Sequence, residues 1–168
     1  SNVSHSAINE GRRLLDQAYE QIHSDPLGAA HAMSTLLQGL HRVRRSLSAE
    51  QWQGFCKQVV PAHQLAEVIN QDPFTRHSVR KPRGYAGDAE LLDYIYGHRQ
   101  APATELGKAL CDFTTNTPTS RAVRVRAGII AGIVDRLAAQ RGRIRVLSIA
   151  CGHLREADMS EAVRRGKV

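Results

Sequence analysis

The stretch that decides the fold is RVLSIACG, residues 145–152. Residues 145–150 form a short, mainly apolar run with β-branched side chains, which is typical of a buried β-strand. The residues before it, 120–140, predict a long helix, and residues 160–165 predict the start of another. Helix, strand, small-residue turn and helix in this order predict a ligand site at the carboxyl end of the strand, where open α/β sheets bind their ligands. The N-terminus of the following helix would add free N–H groups.

The chain before this stretch predicts helices. Apolar side chains recur at helical spacing over residues 8–24, 26–46, 48–60, 63–71, 89–95 and 104–113. Ser48-Ala49-Glu50-Gln51 has the pattern of a capping box, which marks the start of a helix. We therefore expect a mainly α chain, with a helical N-terminal domain over residues 1–118 and the start of a second domain, containing the strand, over residues 119–168.

Composition narrows the range of functions. The chain has 168 residues, of which 42% are hydrophobic, and a net charge of +7. No apolar run reaches the roughly 18 residues of a membrane span, and no signal peptide opens the chain, so we expect a cytoplasmic protein. Three separated cysteines argue against a disulfide framework, and the spacing of the histidines predicts no metal site.

Residues 72–88, DPFTRHSVRKPRGYAGD, are predicted to form a long loop because prolines, glycines and charges replace the helical pattern. Loops of this length without their own secondary structure are commonly functional. Gly84 and Gly87 permit close approach of the backbone, and Tyr85 and Asp88 can hydrogen-bond a ligand. The alternatives are that Tyr85 packs and that Asp88 caps the next helix, and the two roles of Asp88 are compatible.

Three cations are candidates for binding an acidic substrate. Lys81 and Arg83 lie in the loop and can hold a carboxylate. Arg126 falls within the predicted apolar stripe of its helix, between Val123 and Ile133. A buried arginine needs a partner, so we expect either an acid of the loop, such as Asp88, or a substrate carboxylate beside it. The alternative is that Arg126 extends to solvent.

Val146-Leu147-Ser148-Ile149-Ala150-Cys151-Gly152 resembles the first cofactor motif of class I S-adenosylmethionine-dependent methyltransferases, usually written V-L-D-x-G-C-G-x-G. The strings RVLSIACGHLREA at 145–157 and KPRGYAGDAELLDYIYG at 81–97 are similar to a narrower bacterial group, which makes extracellular-factor fatty-acid methyl esters such as 3-hydroxypalmitic acid methyl ester. The resemblance covers roughly residues 60–157, and KPRGYAGD is its more specific half. It implies that residues 145–150 are the first strand of a Rossmann-like α/β domain.

The resemblance also implies a set of cofactor contacts. Ser148 stands where the motif has an acid, Ala150 replaces its first glycine and Leu154 its last. Ala150 fits this position if its φ is negative. Glu156 is a candidate to receive the ammonium group of the cofactor, which would offset the missing acid. The residues assigned to S-adenosylmethionine are Ala150, Cys151, Gly152, His153 and Glu156, with Tyr85, Gly87 and Asp88 of the loop.

The implied reaction is methyl transfer to a substrate oxygen, with a fatty-acid-like carboxylate as the acceptor and Lys81, Arg83 and Arg126 as its binding residues. A carboxylate is ionised at neutral pH and needs no strong general base, so no catalytic residue is assigned. The acid that binds the cofactor ribose belongs at the end of a second strand, beyond Val168. We therefore expect a truncated chain that is inactive by itself.

Two further hypotheses concern partners. A non-enzymatic basic helical module would hold nucleic acid or an acidic protein, and the scattered arginines make nucleic acid the less expected of the two.

A strand without neighbours would leave Val146, Leu147 and Ile149 exposed, at a cost of roughly 1.5–3 kcal/mol each. We therefore expect the tail to be disordered, to pack on the helices, or to pair with the same strand of a second copy in a homodimer.

Overall fold

The computed structural model describes residues 2–168, with side chains from residue 5 onward, and the regular structure in this part of the chain is helical. A 3₁₀ turn, Pro26–Gly28, precedes α2, and a π-helical turn, Phe55–Val59, joins α3 to α4. The helices are α1 Asn2–Ser24, α2 Ala29–Arg45, α3 Ala49–Gly54, α4 Val60–Ala62, α5 Leu65–Ile69, α6 Pro73–Arg80, α7 Ala89–Tyr96, α8 Glu105–Thr115, α9 Pro118–Arg141, α10 Arg155–Met159 and α11 Glu161–Arg164.

The described residues divide into two compact units that alternate along the chain. The first comprises the residues up to Arg76 together with Pro102–Phe113, and the second comprises His77–Ala101 together with Thr114–Val168. The sequence analysis divided the chain once, after residue 118. The alternation places the loop before α7 in the same unit as the motif at 146–152.

The predicted strand is wrong, and with it the expected first strand of a Rossmann-like domain. Residues 145–150 have no regular secondary structure, and no β-strand occurs among residues 2–168. A strand is stable only when a neighbour pairs with its backbone, and the nearest pairing here is a single hydrogen bond from the Ile144 N–H to the Lys167 carbonyl at 2.9 Å. Leu147 and Ile149 remain 86% and 82% exposed. The homodimer expected through a paired strand therefore has no strand to use.

The tail beyond residue 150 packs on the helices, which is one of the three expected outcomes. Both α10 and α11 contact α9. The Asp135 carboxylate of α9 accepts hydrogen bonds from the Ser160 hydroxyl at 2.6 Å and from the Ala162 N–H at 2.8 Å. The Ser160 hydroxyl in turn accepts from the Val163 N–H, which caps α11. One carboxylate of α9 thus holds the start of the last helix.

The capping box at Ser48 is confirmed: its hydroxyl accepts from the Gln51 N–H, and the Gln51 side chain accepts from the Ser48 N–H.

The predicted loop 72–88 is partly wrong, because its first half forms α6. Asp72 accepts hydrogen bonds from the N–H groups of Phe74 at 2.9 Å and Thr75 at 3.1 Å. An aspartate followed by proline is typical of the start of a helix. The charged residues that follow Pro73 led to the prediction of a loop instead.

The core of the first unit lies between α1 and α2. Leu15 and Ile22 of α1 are 2% and 1% exposed, and Leu36 of α2 is 3% exposed. The two helices approach closely at Gly39, where an added Cβ would lie 2.7 Å from the Leu14 side chain. A side chain at this position would push the helices apart.

The buried side of α9, in the second unit, consists of small residues. Ala127, Ala131 and Ala138 are 1–4% exposed, and α7, α10 and α11 pack on this helix. The apolar stripe predicted through Val123 and Ile133 is only partly buried: Val123 is half-buried, whereas Ile133 is 42% exposed. Alanines let neighbouring helices approach closely, and several of the branched residues are left exposed.

Replacing Leu15 with alanine is expected to lower the free energy of unfolding by about 2–5 kcal/mol, because it removes buried methyl groups and leaves a cavity. Chemical denaturation followed by circular dichroism measures this change. Leu27→Ala is the matched control, since Leu27 is 91% exposed, and it should change the same quantity by less than about 0.5 kcal/mol. Equal effects at the two positions would contradict the assigned core.

Candidate functional site

A cavity of about 60 Å³ in the second unit lies between α7, α9 and the segment 150–156. It brings together five residues that the sequence analysis assigned to cofactor or substrate: Ala150, Cys151, His153, Glu156 and Arg126. The other lining residues are Ala89, Leu92, Asp93, Tyr96, Leu154 and Arg155. Gly152 belongs to the same segment and faces α7, since a Cβ there would lie 3.3 Å from that of Ala89.

The backbone of the segment turns through three left-handed residues. The φ angles are +55° at Ala150, +59° at Gly152 and +51° at Leu154. The condition under which Ala150 would fit the motif position, a negative φ, is therefore not met. Left-handed backbone costs a non-glycine residue about 1 kcal/mol or more. The turn is closed by a hydrogen bond from the Leu154 N–H to the Cys151 carbonyl at 2.9 Å.

Asp93 of α7 anchors this segment. Arg155 donates to both carboxylate oxygens, from Nε at 2.8 Å and from Nη2 at 2.9 Å. His153 donates from Nδ1 at 2.8 Å, because an ionised carboxylate only accepts. The hydrogen bonds from Arg155, together with the weaker effect of His153, lower the pKa of Asp93 from 3.8 to about 2 against the effect of burial. Asp93 thus attaches the segment to α7 at two residues, His153 and Arg155.

The sequence analysis missed Asp93 and placed His153 with the cofactor. Asp93 stands within Leu91-Leu92-Asp93-Tyr94-Ile95, a run of apolar residues, and it is 7% exposed. A buried carboxylate requires partners. The single acid in an apolar helical run was therefore the feature of the sequence that could have indicated a buried ion pair. Its partners lie 60 and more residues later, and no local spacing connects them.

Arg126 and Glu156 face the cavity without a partner of their own. Neither side chain has a hydrogen bond or an ion pair among the described residues. Arg126 is exposed, against the expectation of a buried arginine, and Glu156 is half-buried. One positive and one negative side chain at the same small cavity are suited to a group that carries both charges.

Asp88 lies outside the cavity and caps α7, as the capping alternative predicted. Its carboxylate accepts from the Leu91 N–H at 2.8 Å and from His77 Nε2 at 2.8 Å. Burial alone would raise the pKa of Asp88, which is fully buried, but the hydrogen bonds from Leu91 and His77 outweigh burial and lower it. The pair joins the end of α6 to the start of α7, so Asp88 is not the acid that meets Arg126.

The other loop candidates do not line the cavity either. Tyr85 is 56% exposed, and Gly87 is exposed beside it. Arg83 donates to the Glu90 carboxylate at 2.8 Å. Lys81 is exposed with a φ of +47°. The structure therefore separates the residues of the loop from those of the motif.

Comparison with protein-family models, with curated proteins and with solved structures found no match for this chain. Among the described residues, no cluster of histidine, cysteine, aspartate or glutamate has the arrangement of a metal site. In the same part of the chain, no helix combines the length and apolar character of a membrane span. The resemblance to methyltransferases stays a prediction.

Asp93→Asn is expected to lower the free energy of unfolding by about 2 kcal/mol at neutral pH, in proportion to the shift of its pKa. The pKa in the folded state lies below the ordinary value, so the carboxylate stabilises the fold above about pH 4, and this contribution is lost as the pH falls toward about 2. Denaturation measured across this range should show the two proteins converging at low pH.

Asp158→Asn is the matched control. Asp158 lies 3.6 Å from Arg155, but its side chain is 62% exposed, so the change should be below about 0.5 kcal/mol. A constant difference between Asp93→Asn and the parent protein at every pH would contradict the role given to the Asp93 charge.

Proposed function

We propose that this chain binds the methionine end of S-adenosylmethionine and serves an S-adenosylmethionine-dependent methyltransferase. The proposal rests on the backbone conformation of the segment 150–154. Its three left-handed residues, Ala150, Gly152 and Leu154, stand at the three glycine positions of the motif V-L-D-x-G-C-G-x-G. Glycine is the residue that adopts this conformation without strain. The left-handed positions of this segment thus coincide with the glycine positions of the motif, and Ala150 and Leu154 adopt this conformation at a cost that glycine would not have.

The cavity fits one end of this cofactor. Sites for complete small molecules occupy about 300–1,000 Å³, and the cavity here measures about 60 Å³. That volume accommodates a charged head group and excludes a nucleoside. The methionine end carries an ammonium and a carboxylate group, and the cavity offers Glu156 for the first and Arg126 for the second. The described residues therefore fit the amino-acid end of the cofactor alone.

S-adenosylmethionine supplies an electrophilic methyl group when it is bound. Within this proposal, Glu156 and Arg126 orient the amino-acid end of the cofactor. The hydrogen bonds of His153 and Arg155 to Asp93 hold the turn at 150–154 in place. Positioning of this kind accounts for much of the acceleration in transfer reactions between two bound reactants.

The acceptor that we propose is a fatty-acid-like carboxylate, which is ionised at neutral pH and needs no general base. Of the three cations first assigned to it, Arg126 lines the cavity and Arg83 is paired with Glu90. Lys81 is exposed outside the cavity, so within this proposal it is given no contact with the reacting acceptor.

The test is a titration of the isotopically labelled chain, followed by the backbone amide signals of residues 150–156. S-adenosylhomocysteine and free methionine should both shift these signals, because both carry the amino-acid group, and adenosine should leave them unchanged. Glu156→Gln and Arg126→Gln should each weaken binding by about tenfold or more, which corresponds to one lost charge-assisted hydrogen bond. Arg121→Gln, on the same helix, should have no effect.

Two results would refute the proposal. One is the absence of any shift with S-adenosylhomocysteine. The other is binding that survives in both the Glu156→Gln and Arg126→Gln proteins.

A further inference from the structure

Several branched apolar side chains of helix α9 are exposed to solvent. Val125, Ile129 and Ile133 follow one another at four-residue spacing and are 61%, 58% and 42% exposed. Gly132 lies on the same side, and nothing lies within 4 Å of where its Cβ would be. Soluble proteins rarely expose apolar residues as a continuous stripe, and such stripes mark interaction sites. We call this stripe the outer face of α9.

The charged residues of α9 beside the outer face have one sign. Arg121 and Arg136 flank the stripe by helical spacing, and neither has an ion-pair partner among the described residues. The one acid in the sequence of α9 is Asp135, and its carboxylate is engaged by Ser160 and Ala162. The outer face therefore combines an apolar centre with a positive rim.

We propose that the outer face of α9 binds an amphipathic helix of a protein partner, whose leucine-like side chains meet the stripe and whose acidic flanks meet the arginines. A helix laid along an apolar surface is a common mode of recognition, and complementary charges set its register and specificity. The outer face borders the proposed cofactor cavity through Arg126, which precedes Ile129 by three residues on α9, but this proposal does not depend on the cofactor.

The same charges argue against two other occupants. A second copy of the chain would place arginines opposite arginines, which is unfavourable across an interface. A nucleic acid would satisfy the arginines but would leave Val125, Ile129 and Ile133 against phosphates, and the face has no aromatic residue on which a base could stack.

The probe is a synthetic, fluorescently labelled peptide helix with leucines along one side and glutamates on both flanks, and its binding to the full chain is followed by fluorescence anisotropy. The control peptide has the same composition in an order that distributes the leucines around the helix. The designed peptide should bind, and the control should bind at least about tenfold more weakly, since each apolar contact contributes about 1 kcal/mol or more. Binding should weaken as the salt concentration rises from about 0.05 M to about 0.2 M.

Two independent variants locate the site. Ile129→Ser combined with Ile133→Ser should weaken binding about tenfold or more. Arg121→Glu combined with Arg136→Glu should weaken binding and reverse its salt dependence, and it tests the same face without altering an apolar residue. Leu27→Ser is the matched control because Leu27 is 91% exposed on the first unit, and it should change nothing. Circular dichroism confirms that each variant remains helical.

Any of three results would overturn the proposal. The first is equal binding of the two peptides, or equal weakening by Leu27→Ser, either of which shows unspecific adhesion. The second is a dimer in sedimentation that dissociates in the Ile129→Ser, Ile133→Ser protein, which assigns the face to a second copy. The third is displacement of the designed peptide by duplex DNA with the dependence on Arg121 and Arg136 retained, which assigns the face to nucleic acid.

Discussion

The buried carboxylate of Asp93 is the interaction on which the candidate site depends. It lies on α7 and accepts two hydrogen bonds from Arg155 and a third from His153. Without these bonds the turn at 150–154 would lose the hydrogen bonds that connect it to α7. Because the carboxylate is almost fully withdrawn from water, the loss of Arg155 would remove the guanidinium that compensates its charge and two of these three hydrogen bonds. The position of the turn and the ionisation of Asp93 are therefore coupled.

A second carboxylate repeats this arrangement at the end of the chain. Asp135 accepts from Ser160, from the Glu161 N–H and from the Ala162 N–H, and the Ser160 bond is the largest of the effects that lower its pKa. Two acids on neighbouring helices thus fix two successive segments of an irregular tail. Hydrogen bonds to charged groups are stronger than neutral ones, so this tail is held mainly by polar contacts and only in part by apolar burial.

The sequence predicted what depends on local spacing. The capping box at Ser48 and the cap at Asp88 are each set by residues three positions apart, and both are present. The strand at 145–150 failed because an apolar run with β-branched residues indicates a tendency to pair, and the described residues supply no neighbouring strand. Asp93 was missed for the same kind of reason, since its partners lie far along the chain. Predictions from one sequence therefore extend as far as contacts within a turn or two of helix.

Helix α9 shows how strongly packing overrides a pattern. Its sequence offers two apolar sides, one of alanines and one of branched residues, and the larger side chains have the greater free energy of burial. The structure buries the alanines nevertheless, against α7, α10 and α11, and Asp135 bonds Ser160 at the start of α11. The outer face is the consequence: an apolar surface that the internal packing of the second unit cannot use, surrounded by arginines that nothing in the described chain neutralises.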